Sequence, residues 1–191
     1  MTAKENMSIR EMVLGALFTA LIAVGAFLKV TIPVQPFPMH FTMQFFFVLL
    51  SGFVLGGRMG CISVVCYLVI GLAGVPIFAA GGGIGYLIRP TFGFLLGFAF
   101  AAYITGKVMQ KRERHTYGWL LFSAVCGLIA MYLSGMVYFY VISNYVINMP
   151  VSWKLVFINC FLLTVSGDLV LCFLAAAAAR RILPVLSRLQ S

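Results

Sequence analysis

Acidic residues are nearly missing from this 191-residue chain: Glu5, Glu11, Glu113 and Asp168 are the four it has. Only Asp168 stands clear of the N-terminus and of a basic loop, so no second carboxylate within an apolar run pairs with it. That excludes the aspartate dyad of an intramembrane protease. Histidine is as scarce. His40 and His115 are solitary and fall on opposite sides of the expected topology, which excludes a metal site built on histidine and a serine–histidine intramembrane protease. No Walker-type sequence occurs, because Gly81-Gly82-Gly83 is not followed by Lys-Ser or Lys-Thr, so ATP hydrolysis by this chain is excluded. The five cysteines (61, 66, 126, 160 and 172) all lie inside apolar runs at spacings that fit no metal motif, and read as small packing residues. No internal repeat is visible.

Hydrophobic residues fill the space left by charge. They make up 63% of the chain against 9% charged residues, where a soluble domain carries about 25% charged. A water-soluble fold of this size could not hide so much apolar surface. A bilayer removes the difficulty, and six spans of about 20 residues fit the length as one membrane domain, 1–191. The expected spans are roughly 11–29, 41–56, 60–79, 86–106, 118–143 and 155–180. The first is read as a retained helix, being longer than a signal-peptide core and preceded by Glu5 and Glu11. Breaks fall at Pro33, Pro36 and Pro38, at Gly56-Gly57-Arg58, at the triple glycine, at the basic cluster 107–114, and at Asn148-Met149-Pro150.

The net charge of +9 does not describe a nucleic-acid surface, because the cations flank apolar runs. With both termini cytoplasmic, one side holds Lys4, Arg10, Arg58, Lys107, Lys111, Arg112, Arg114, Arg180, Arg181 and Arg188. Only Lys29, Arg89 and Lys154 fall on the other. Ten against three is the asymmetry of a multi-pass protein whose basic loops face the cytoplasm. The segments 30–40, 80–90 and 144–154 then face outward.

Among candidate functional residues Asp168 comes first, since a carboxylate in an apolar span costs roughly 2.5–3.5 kcal/mol to insert and usually faces a cavity, a partner or a ligand. Arg89 follows the glycine-rich stretch that contains Gly82, Gly83 and Tyr86. Glycines let backbone approach a ligand closely, and an arginine beside them could bind a carboxylate bidentately or simply snorkel to the interface. Gln44 is a neutral polar group near the same mouth, open to ligand contact or to an interhelical hydrogen bond, as are Asn144 and Asn159. Tyr86, Phe92, Phe94, Tyr138 and Tyr140 could wall a pocket or anchor the interface. In the first span Ala16 and Ala20, four residues apart, form a flat strip for close helix contact, within the protein or with a partner.

Several stretches together resemble the BioY family, the biotin-specific substrate-binding (S) components of energy-coupling-factor (ECF) transporters. They are Pro36-Phe37-Pro38-Met39-His40-Phe41-Thr42-Met43-Gln44, Gly71-Leu72-Ala73-Gly74-Val75-Pro76-Ile77-Phe78, Arg89-Pro90-Thr91-Phe92-Gly93 and Ser166-Gly167-Asp168-Leu169-Val170. The likeness runs over residues 11–184. It implies an all-α, six-helix S-component bundle in the plasma membrane of a prokaryote, binding biotin and no cofactor. Its partners would be a transmembrane coupling protein, met at Ala16 and Ala20, and two cytoplasmic ATPases that consume the ATP. By position Asp168 would be a ligand-binding residue. Departures are Leu171 where the family usually has lysine, Ser166 in place of proline, and Arg89 where many members have glycine. They leave room for another vitamin, such as riboflavin or thiamine. A structural membrane subunit with no ligand site is the reading from a different class.

Overall fold

The computed structural model describes residues 8–33, 38–112 and 116–188. The sequence readings that involve Lys4, Glu5, Pro36, Phe37, Glu113, Arg114 and His115 lie outside the described residues.

Helix α1 (Ile9–Phe27) starts at a capping box. The Ser8 hydroxyl accepts from Glu11 N at 3.2 Å, and the Glu11 carboxylate accepts from Ser8 N at 2.9 Å. Glu11 thus answers the orphan N–H groups and positive end of a helix. After α1 the chain turns into strand β1 (Lys29–Ile32), which pairs antiparallel with β2 (Met39–Thr42), Lys29 opposite Thr42 and Ile32 opposite Met39. The expected outward loop 30–40 is therefore a hairpin in its described part, and it tucks against the start of α2.

Helix α2 (Gln44–Leu72) covers two expected spans and breaks at Gly56, whose φ of 76° and ψ of 172° lie outside any helix. In an unbroken helix, residues eight apart are about 12 Å apart. Here a Cβ on Gly60 would sit 3.0 Å from the Gly52 backbone, so the two arms fold back on each other. A Cβ on Gly106 of α3 (Phe92–Met109) would lie 2.6 Å from the Gly52 carbonyl, so three helical segments meet there backbone to backbone.

Several expected boundaries shift. The run expected to Ala79 stops being helical at Leu72. The segment after it folds on itself, with Gly83 N donating to Gly71 O at 2.7 Å and Phe78 and Gly81 exchanging backbone bonds. A 3-10 helix (Ile84–Ile88) precedes α3. Beyond α4 (Tyr117–Val141) the chain continues as a π-helix (Ile142–Val146). The last span is assembled from α5 (Trp153–Val156), a second π-helix (Phe157–Leu162) and α6 (Val165–Arg188).

The core lies between α2, α3, α4 and α6, with Phe45, Leu49, Tyr67, Phe98, Leu128 and Leu171 buried in it. Large apolar side chains such as Val69, Phe100, Leu133, Val137 and Phe173 point outward. Five helical stretches among the described residues are long and apolar enough to cross a membrane, α2 being one of them with both its arms. The protein is a mostly helical, multi-pass membrane protein.

Candidate ligand-binding site

A cavity opens where the β-hairpin, the 3-10 helix and the adjoining ends of α2, α3, α4 and α6 converge. Its polar wall is made by His40, Thr42, Gln44, Thr91, Thr164 and Asp168. Its aromatic wall is made by Phe41, Phe45, Tyr86, Phe94, Phe98 and Tyr132. The space inside is about 70 Å³, room for about five waters.

Asp168 is buried in the first turn of α6, where the positive end of the helix favours a carboxylate. The Tyr132 hydroxyl, from the middle of α4, donates to its Oδ2. Thr164 lies four residues before Asp168, and its hydroxyl is 2.7 Å from Tyr132 Oη and 2.8 Å from the Cys160 carbonyl. Since Tyr132 spends its one proton on Asp168, the single Thr164 proton is shared between Tyr132 and that carbonyl. Edge-on contacts with Phe94 and Phe161, at centroid distances of 6.1 and 5.0 Å, hold the Tyr132 ring. Among the described residues no other side chain or backbone group bonds to the Asp168 carboxylate, which keeps acceptor capacity for a ligand N–H.

Gln44 opens α2 and is buried. Its Nε2 donates to Tyr67 Oη at 2.7 Å and its Oε1 accepts from Thr42 Oγ1 at 3.3 Å, while Tyr67 donates to Ile77 O at 3.2 Å. The amide is thereby oriented at the cavity wall. Tyr86 packs on Phe78 at 4.6 Å, and burial raises its phenol's pKa, with smaller downward pulls from Arg89 and a backbone hydrogen bond.

The structure brings Asp168, Gln44 and Tyr86 together in one cavity. Arg89 is exposed, stacks over the Tyr86 ring at 5.0 Å, and lines an adjoining depression that shares His40 and Thr91 with the cavity. Gly82 and Gly83 close against Gly71 and Val75 and do not line the cavity. Tyr138 donates to Leu87 O at 2.6 Å, Tyr140 stacks on Trp153 at 4.3 Å, and Asn144 pins Val151 through bonds of 3.1 Å each way. None of these three lines the cavity. Ala16 and Ala20 line an apolar groove between α1 and the second arm of α2, beside Gly15, Thr19, Met59 and Ser63. Tyr132, Thr164, Thr42, Thr91 and Phe98 were not singled out from sequence. Thr164 alone carried a signal, its four-residue spacing from Asp168.

The sequence profile of the BioY family matches residues 1–188. The chain belongs to the BioY family. A probable biotin transporter BioY of Lysinibacillus sphaericus is 40% identical over 181 residues, covering 95% of this chain and 90% of its own. The biotin transporter BioY of Thermotoga maritima is 42% identical over 127 residues, 66% of this chain and 72% of its own. A crystal structure of the S-component for biotin from an ECF-type ABC transporter superposes with a TM-score of 0.75, covering 95% of this chain and 94% of that one at 24% identity. This member of the BioY family therefore has the S-component fold.

Proposed function

We propose that this chain binds biotin in the cavity beneath the hairpin and serves as the substrate-specific subunit of an ATP-driven ECF importer. The observation that carries the reading is the buried Asp168 carboxylate, held by Tyr132 in an aromatic-walled cavity. Biotin's ureido ring offers N–H donors that suit a carboxylate acceptor, and its fused rings suit aromatic walls. The names of the BioY relatives support the same ligand.

The break at Gly56 supports counting the arms of α2 as separate passages, which makes six and returns both termini to one side. The basic residues mark that side as cytoplasmic, in the plasma membrane of a prokaryote. The apolar groove at Ala16 and Ala20 would receive the transmembrane coupling protein, and two cytoplasmic ATPases would supply the energy. Gly82, Gly83 and Arg89 would border the entry. Ligand binding alone does not move biotin across; the coupling protein must favour a second state.

The test is calorimetry on the purified chain in detergent with biotin, riboflavin and thiamine. One-to-one biotin binding is expected. Binding of another vitamin instead would keep the transporter class and change the substrate, and no binding of any would favour a structural subunit.

A further inference from the structure

The depression beside the cavity has no assigned occupant. We infer that it is a carboxylate-binding subsite, in which His40 and Arg89 together hold the ionised tail of a ligand whose ring system fills the cavity. The inference rests on the biotin reading and says which end of the molecule lies where.

His40 and Thr91 line both spaces, so they form a shared wall past which a ligand can extend. Beyond them lie Arg89, Pro38, Ile88 and Ile147, one cation among apolar surfaces. The Arg89 guanidinium is steadied over the Tyr86 ring, yet its side chain makes no hydrogen bond or ion pair with the described residues. Its donors are free for a planar anion. No protein carboxylate among the described residues neutralises this end of the molecule. Glu11 caps the N-terminus of α1, and Asp168 lies inside the cavity bonded to Tyr132.

His40 is equally prepared. Its Nδ1 shares a hydrogen bond with Thr31 Oγ1 at 3.0 Å, which leaves Nε2 for a ligand. Partial burial lowers its pKa from 6.5, and the charges of Lys29 and Arg89 lower it further. Lys29 from β1 donates to the Ala79 carbonyl, Arg89 follows the 3-10 helix, and Tyr86 and Asp168 line the cavity that His40 also lines. An anion seated between His40 and Arg89 offsets the cationic repulsion and draws a proton onto the imidazole. The sign follows from linkage. An anion that raises the His40 pKa binds more tightly as pH falls through the value in the complex, and the gain levels off below the value in the free protein.

The experiment is calorimetry on the full chain with biotin and with its neutral primary amide, between roughly pH 5.5 and pH 8, in buffers of differing ionisation enthalpy. Biotin should take up protons on binding and weaken about tenfold across that range, while the amide does neither. Titration of Asp168 affects both ligands alike and cancels in the comparison. His40→Gln should flatten the biotin profile. Arg89→Gln should weaken biotin by about tenfold and the amide by less than about twofold; the amide reports that the variant is folded. Equal pH profiles for both ligands, or equal losses in Arg89→Gln, overturn the subsite while leaving the biotin reading in place. Binding of neither ligand to the wild-type chain overturns the biotin reading and the subsite with it.

Discussion

The hydroxyl of Tyr132 donates to Oδ2 of Asp168, joining the middle of α4 to the first turn of α6 at the cavity wall. One carboxylate oxygen is thereby committed to the protein and the group is fixed in orientation before any ligand arrives. Asp168→Asn should weaken biotin by about 10–100-fold, the range of a hydrogen bond to a charged group. Calorimetry on a variant with an unchanged thermal transition checks this.

Tyr132→Phe keeps the ring contacts to Phe94 and Phe161 and deletes only the donor. Its expected loss in biotin affinity is about 3–10-fold, less than for Asp168→Asn, because Tyr132 orients the carboxylate and does not itself bond the ligand. Thr164→Val should cost less in the wild type, and almost nothing when Tyr132 is already Phe, because Thr164 acts on Asp168 through Tyr132. A double-mutant cycle measures this coupling, and additive losses would contradict the relay.

Gly56 holds a backbone conformation that is almost confined to glycine. Gly56→Ala should destabilise the protein by about 1–3 kcal/mol, read as a lower unfolding temperature in detergent. Gly118 is the control, lying near the start of α4 with ordinary dihedrals and open space around it. Gly118→Ala should be neutral or stabilising by up to about 1 kcal/mol.

Ala16→Leu fills the groove between α1 and the second arm of α2 and leaves the cavity untouched. Biotin affinity of the isolated chain should stay within about twofold. Uptake by cells that supply the coupling protein and ATPases should fall sharply. Loss of binding in the isolated chain would show that the strip packs the fold internally.

Asp168 was legible in the sequence because a carboxylate within an apolar run demands a reason, whatever the fold. Gln44 and Tyr86 were legible because each stands beside a glycine or proline break that opens the bundle. Tyr132 was not, since a tyrosine in an apolar helix has the same pattern whether it faces lipid or a carboxylate. The hairpin escaped because Val30-Thr31-Ile32 is too short a run to separate from the prolines beyond it. The helix end at Leu72 was overrun because Val75, Ile77 and Phe78 prolong the apolar character after the chain has turned at Gly74, where φ is 111°. Arg89 was expected as a polar end of the pocket, and it lines the adjoining depression instead. Its position outside the cavity depends on the 3-10 turn, whose three-residue period sets the guanidinium over the tyrosine ring.

The first arm of α2, from Gln44 to the break at Gly56, is about 18 Å long. The hydrocarbon layer is about 30 Å thick. The arm is therefore about 12 Å shorter than that layer. Its far end is held by glycines whose backbones touch without interlocking side chains. The three helical segments that meet there are thus matched by backbone shape, and any side chain added at Gly52, Gly60 or Gly106 would have to push them apart.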